Sequence, residues 1–199
     1  MHKRDAGPSV LRPDLRTVRS LLSRPSCMPP TNRQESERSD AGPPVVTVAI
    51  DHFELTVEDC VFAARLDASV AVCFYDAVHE PGALLHLRFV PRGQLHAELT
   101  DTVFTGDLLL IDQCVRTLRA NVPQAKYWQS KIVAQIPQAE GVRVGAESVL
   151  EFLTAYLRDS DIELVEQQIE WDGPTLLQFR PMMGQVRVQA ADAAKLNPI

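Results

Sequence analysis

The sequence predicts an α+β fold in which layered mixed β-sheets pack against two main helices. Short apolar runs bounded by glycine, proline or aspartate outnumber the helical patterns, which favours a fold centred on sheets. Only two segments repeat apolar residues at the three- and four-residue steps of an amphipathic helix. The 199 residues, 45% of them hydrophobic, suffice for one compact domain with a sizeable core.

Eight segments have the composition of β-strands. The first is a β-branched run that begins at Val45 and ends before Asp51. Glycine and proline mark the ends of others, such as the fourth, which closes at Pro91 and Gly93. The predicted strands are residues 45–50, 60–66, 70–75, 83–90, 127–136, 162–169, 176–180 and 185–188.

Two amphipathic helices complete the predicted fold. In the first, apolar residues recur from Phe104 to Leu118 at helical spacing, which is typical of a helix packed on a sheet. The second runs from Val149 to Leu157. Ser148 and Glu151 stand at capping-box spacing and predict that this helix begins at Ser148.

The chain divides into three predicted regions. Residues 1–44 are rich in proline, serine and arginine and are predicted to be a disordered tail, because they cannot bury enough apolar surface to offset the ordering entropy. Residues 45–190 form the domain, and residues 191–199 a flexible C-terminal tail. The N-terminal tail holds eight basic and five acidic residues, so the chain's net charge of −6 leaves −9 for the remainder. An acidic domain argues against a nucleic-acid partner.

The sequence contains no pattern that predicts a metal site, a cofactor or a membrane span. The four cysteines lack C-x-x-C spacing, and the five histidines lack the H-x-x-x-H spacing of a helical metal pair. The apolar runs are far shorter than the roughly 20 residues that cross a bilayer. The N-terminus lacks the apolar segment of a secretory signal. We therefore expect a cytoplasmic protein without cofactor, metal or transmembrane segment.

One stretch resembles a known signature. Residues Leu66–Asp76 read LDASVAVCFYD and are similar to the LGSCVAVCLYD of the chemoreceptor glutamine deamidases, the CheD family. Downstream, Gly82–His86 followed by Pro91 resembles the family's GGMNH segment and the LP after it. His86 follows Ser69 by 17 residues, the step from nucleophile to histidine expected in this family. Residues 144–149, 162–165 and 184–188 resemble the family's C-terminal half.

The resemblance implies a cysteine-hydrolase architecture and the hydrolysis of receptor glutamine side chains to glutamate. In that chemistry a thiolate attacks the amide carbon, a histidine transfers the proton, and a threonine hydroxyl helps to orient the pair. In this register the cysteine falls on Ser69, the histidine on His86 and the threonine on Ala63. Two of the three catalytic positions are therefore lost. Cys73 lies four residues along the same strand, too far to substitute, and is expected in the core.

The loss of sulfur predicts a silent site. A hydroxyl is a far weaker nucleophile than a thiol and needs full base assistance. We also expect the shorter Ser69 side chain to lie too far from an imidazole positioned for sulfur. His86 would then be a hydrogen-bonded core residue.

Other positions around the implied pocket differ from the glycine and arginine–asparagine pairs of the deamidase family. Paired glycines of the family fall on Ala134 and Gln135, an arginine–asparagine pair falls on Glu147 and Ser148, and a later glycine pair falls near Glu170 and Trp171. Side chains at glycine positions are expected to obstruct the approach of a substrate.

Three functional hypotheses follow. The leading hypothesis is a catalytically silent CheD-like chemotaxis protein that binds a chemoreceptor, a methyl-accepting chemotaxis protein, or another signalling partner. The alternative is an active protein-glutamine deamidase that uses Ser69 and His86. The third is an interaction module unrelated to chemotaxis, in which the basic tail is the functional element.

Overall fold

The computed structural model describes residues 42–79, 81–89, 97–138, 140–170 and 173–191, and within them it confirms the α+β fold. These residues form nine strands and two α-helices. In chain order the elements are β1 Val45–Thr47, β2 His52–Thr56, β3 Val61–Leu66, β4 Ser69–Asp76, β5 Gly82–Arg88, α1 Ala97–Asn121, β6 Trp128–Gln135, α2 Glu140–Asp159, β7 Glu163–Glu170, β8 Thr175–Arg180 and β9 Gln185–Ala190.

The strands form two sheets. One sheet has four strands in the order β1-β3-β8-β9, and the other has five in the order β2-β5-β4-β6-β7. Both are mixed, because the β1–β3 and β6–β7 pairs are parallel while the other pairs are antiparallel. The predicted layered mixed sheets are therefore present.

Strand β4 shows how the layers are built. It is the central strand of the five-stranded sheet, and all eight of its residues are buried. Successive side chains point to opposite faces of a strand. Val72 and Phe74 accordingly join a cluster with the helices, while Ala71 and Cys73 join a second cluster with the four-stranded sheet. A continuous apolar run is what such a doubly covered strand requires.

Three elements differ in extent from the sequence prediction. Helix α1, predicted from Phe104 to Leu118, extends beyond these residues at both ends. The first predicted strand, residues 45–50, is shorter and is followed by a separate strand, β2, which the sequence reading missed. Helix α2 begins at Glu140, so the predicted capping box at Ser148 is wrong: Ser148 lies inside the helix, and its hydroxyl donates to the carbonyl of Val144. Most of both predicted tails lies outside the described residues, as do Pro91 and Gly93.

The link between β1 and β2 joins the two sheets. These strands belong to different sheets although only residues 48–51 separate them. The Val48 N–H donates to the carbonyl of Ala63 on β3, at 2.8 Å. Asp51 adopts a left-handed φ of 58°, and its N–H donates to the carbonyl of His86 on β5, at 2.7 Å. The link therefore ties both sheets together beside His86.

Candidate active site

Ser69 and His86 lie together in the structure. Ser69 is the first residue of β4, and His86 lies on the neighbouring antiparallel strand β5, opposite Ala71. The two side chains are diagonal neighbours on the face that points to the four-stranded sheet. The Ser69 Oγ lies 3.0 Å from the His86 Nε2. The expectation that the hydroxyl would lie too far from the imidazole is therefore wrong.

The second ring nitrogen of His86 fixes the tautomer. The Nδ1 lies 3.3 Å from the carbonyl oxygen of Val48, which can only accept a hydrogen bond. We infer that the proton resides on Nδ1, so Nε2 has a free lone pair and accepts the hydroxyl proton of Ser69. Burial lowers the pKa of His86, although the Val48 carbonyl and Asp51 partly offset this effect. The ring is thus a neutral base beside a hydroxyl.

Ala63 does not take part in this arrangement through its side chain. Phe62 and Ala64, its neighbours on β3, pack in the cluster between the sheets, so the Ala63 side chain points to the opposite face, with Gln178 of β8. Its contribution is the carbonyl that binds the Val48 N–H. The third member of the site is therefore the main chain of Val48, which the sequence reading missed because a carbonyl has no sequence signature.

The turn before Ser69 is shaped by a strained residue. Ala68 has a φ of 48°, in the left-handed region that residues with a Cβ rarely adopt. The turn directs two main-chain N–H groups toward the site. That of Asp67 donates to the Ser69 Oγ at 3.1 Å, and that of Ala68 donates to the Gln135 Oε1 at 2.6 Å. Both donors are therefore satisfied inside the protein.

The site is closed to solvent. Ser69 is 0% exposed, Gln135 2% and His86 3%. Two surface clefts of about 310 and 360 Å³ are lined by residues of the helices, loops and β7 or β6, and neither includes these three side chains. A substrate side chain would have to displace protein atoms to reach the Ser69 hydroxyl.

Of the other positions flagged by the sequence, Gln135 alone is bonded to this site within the described residues. Ala134 is buried opposite Val70, and Glu147 lies on the exposed side of α2, where it pairs with Arg143. Glu170 accepts a hydrogen bond from the Gln168 side chain at 2.7 Å. Trp171 lies outside the described residues.

The described thiols do not supply a replacement nucleophile. The ring nitrogens of His86 are bonded to Ser69 and Val48, not to sulfur. Cys73 is fully buried between the sheets, as expected, and burial raises the pKa of its thiol. Burial likewise raises the pKa of Cys114 to about 12. Such thiols stay protonated at neutral pH and are poor nucleophiles.

A charged cluster borders the site. Arg88, the register partner of Ser69, forms an ion pair with Asp51. Asp107 on α1 is nearly buried, and burial together with the Asp51 carboxylate raises its pKa to about 6, while Arg88 acts in the opposite direction. One Asp107 carboxylate oxygen lacks a hydrogen-bond partner among the described residues. The cluster therefore contains a carboxyl group that stays protonated to a higher pH than an ordinary aspartate.

Comparison of the sequence with protein-family models finds no matching family, and comparison with curated proteins finds no match. In the part of the chain that the structure describes, no three His, Cys, Asp or Glu side chains come together as a metal-binding group. Over the same residues, neither helix combines the length and apolar character needed to span a membrane.

Proposed function

We propose that this chain is a CheD-like chemotaxis signalling protein of the cytoplasm that has lost hydrolysis and acts by binding a chemoreceptor or another signalling protein. The observation that best supports the loss of hydrolysis is the state of Ser69. Its hydroxyl is fully buried, and its oxygen accepts a hydrogen bond from the Asp67 N–H. The choice of partner rests on the resemblance of residues 66–91 to the deamidase signature.

Two physical arguments favour a silent site. A serine hydroxyl must transfer its proton fully to the base during attack, whereas a thiol is already partly ionised at neutral pH. Amide hydrolysis also requires free hydrogen-bond donors for the developing oxyanion, which contribute about 3 to 4 kcal/mol each. The N–H groups of Asp67 and Ala68 stand next to Ser69, but each already donates to a protein oxygen.

A second candidate is an active protein-glutamine deamidase. The 3.0 Å contact between Ser69 and His86, with the Nε2 lone pair directed at the hydroxyl, favours it. In this reaction the Ser69 Oγ would attack the amide carbon and its proton would pass to Nε2. His86 would then protonate the departing ammonia, and water would hydrolyse the ester to release glutamate.

Incubation of the purified full chain with receptor cytoplasmic fragments separates these candidates. Mass spectrometry reports glutamine-to-glutamate conversion as a gain of about 1 Da, and a pull-down of the same mixture reports binding. We expect binding without conversion. Conversion that disappears in Ser69→Ala would overturn the silent assignment in favour of the deamidase, and failure to bind any receptor or chemotaxis protein would overturn the proposed partner class.

The variant Ser69→Cys tests whether the missing sulfur alone accounts for the loss of activity. It restores the sulfur that the resemblance implies, beside an unchanged His86. Conversion by this variant, and not by the wild type, would locate the loss of activity in the oxygen atom. The matched variant Ser69→Cys with His86→Ala should lose that conversion, because no base then remains.

A further inference from the structure

Gln135 extends a carboxamide into the site from the strand next to Ser69. It is the last residue of β6, its register partner on β4 is Ser69, and both side chains lie on the face that points to the four-stranded sheet. Its amide oxygen accepts the Ala68 N–H at 2.6 Å. Because an N–H donor must face an acceptor, this contact requires the oxygen, not the nitrogen, of the carboxamide at this position.

This contact has the chemistry of amide recognition. A hydrolase that acts on a primary amide holds the carbonyl oxygen with N–H donors that adjoin its nucleophile. Here the donor belongs to Ala68, the residue directly before Ser69, and the bound group is the side-chain amide of a glutamine. The oxygen of Gln135 is therefore bound by the kind of donor that an amide-binding site uses.

We propose that the carboxamide of Gln135 occupies an amide-binding position beside Ser69, so that the chain's own glutamine closes the site to primary carboxamides from outside. The proposal rests on the function inferred above in one respect, namely that the Ser69 region is a modified amide-binding site. It gives a second reason for the loss of hydrolysis besides the missing sulfur, because the Gln135 carboxamide occupies the position that a substrate amide would need.

A purely structural role for Gln135 predicts something different. The side chain would then serve only to satisfy the Ala68 N–H in a strained turn, and its removal would weaken the fold as a whole. If Gln135 instead fills an amide-binding position, its removal should make only the side chain at position 69 accessible. Local access at position 69 therefore distinguishes the two roles, since the other buried side chains would stay protected.

Iodoacetamide is a suitable probe because it is a small primary carboxamide that alkylates thiols. In the full chain carrying Ser69→Cys, the introduced thiol should react slowly while Gln135 is present. Adding Gln135→Gly should raise its alkylation rate at least about tenfold, because both the carboxamide and its covering atoms are removed. Peptide mapping by mass spectrometry assigns the label to its position.

Three of the four native thiols are internal references for the folded state. Cys60, Cys73 and Cys114 are buried in the structure, so they should remain unlabelled during the experiment. If their labelling rises together with that of the introduced thiol, the substitution has loosened the whole domain and the proposal is refuted. Gln135→Ala provides a second test with a smaller backbone perturbation, and it should also accelerate labelling.

A matched control is available on β8. Gln178 is another fully buried glutamine, and it points to the opposite face of the four-stranded sheet. Gln178→Ala in the Ser69→Cys background should leave the labelling rate within about twofold of the parent. Equal acceleration by Gln178→Ala would overturn the proposal, because any buried truncation would then suffice.

Competition identifies the chemical class that the opened position accepts. Acetamide should slow labelling in the variant with both Ser69→Cys and Gln135→Gly, and acetate should not, because burying a carboxylate beside a neutral histidine costs much more than burying a neutral amide. An equal labelling rate of the introduced thiol with and without the Gln135 side chain would refute the proposal. That outcome is independent of the proposed function, which stands or falls on glutamine conversion and binding by the wild-type chain.

Discussion

The hydroxyl of Ser69 and the Nε2 of His86 form a 3.0 Å hydrogen bond that neither residue shares with solvent. The contribution of this bond to the free energy of unfolding can be measured. Ser69→Ala leaves the ring nitrogen and the Asp67 N–H without their partner and should reduce the free energy of unfolding by about 1 to 3 kcal/mol. In a double-mutant cycle with His86→Ala, the combined loss should be smaller than the sum of the single losses by about 1 kcal/mol. Urea denaturation measures all four proteins, and strict additivity would show that the bond contributes nothing.

The pH dependence of stability should reveal the buried imidazole. Because burial holds the pKa of His86 below its ordinary value of 6.5, the folded state binds fewer protons than the unfolded chain. The stability that His86 contributes is therefore present above pH 6.5 and is lost as the pH falls through the lowered folded pKa. The variant His86→Gln should flatten this part of the curve. Urea midpoints measured between pH 5 and 7.5, at about half-unit steps, test this, and an unchanged slope in the variant would contradict it.

Asp107 should lower the stability of the fold as the pH rises. Its folded pKa of about 6 lies above the ordinary 3.8, so its stabilising contribution is present below pH 3.8 and is lost as the pH rises through 6. Asp107→Asn should therefore stabilise the protein at pH 7.5 by about 1 to 2 kcal/mol and change little at pH 4. Asp112→Asn is the matched control on the same helix, where the carboxylate pairs with Arg116 at the surface. Its effect should stay below about 1 kcal/mol at either pH, because exposed pairs contribute little.

The left-handed turn at Ala68 predicts a stabilising substitution. A left-handed φ costs an L-residue about 1 to 2 kcal/mol, and glycine avoids this cost but has a more disordered unfolded state. With a φ of 48° at Ala68, we expect Ala68→Gly to raise the free energy of unfolding by about 0.5 to 1 kcal/mol. Asp161 has a similar φ of 53°, but aspartate tolerates this region better, so Asp161→Gly should yield a smaller gain. Thermal unfolding of both variants tests the ranking, and a destabilised Ala68→Gly would refute the strain argument.

Burial on two faces explains one accurate strand prediction, although the edge strands β7 and β9 were also predicted to within two residues. Residues 70–75 form a continuous apolar run and lie inside β4, because a doubly covered strand has no polar face to obscure the pattern. Strand β2 was missed because its sequence, HFELT, contains no continuous apolar run. It is an edge strand whose side chains are exposed or half-buried, and Asp51 before it resembles a strand terminator. The early turns of α2 were missed because Gly141 and Gly145 weaken a helical pattern.

The site was predictable in its residues and not in its geometry. The resemblance to the deamidase signature paired Ser69 with His86, and the structure brings them together on adjacent strands of one sheet. The distance between them depends on side-chain rotamers and strand twist, which no sequence pattern contains. The orienting group is the Val48 carbonyl, which any residue could provide. The obstruction expected from Gln135 was inferred from its position, but its bond to Ala68 follows from a turn whose φ the sequence did not indicate.

The short link at residues 48–51 has a mechanical consequence. The Val48 carbonyl that holds the proton on Nδ1 belongs to a segment bonded to Ala63 of the four-stranded sheet, whereas His86 belongs to the five-stranded sheet. Sliding of one layer relative to the other would strain either the Val48–Ala63 bond or the Val48–His86 bond, and loss of the second would free the imidazole to change its tautomer. The ring nitrogen resonances of His86 would then record the sliding of the layers directly.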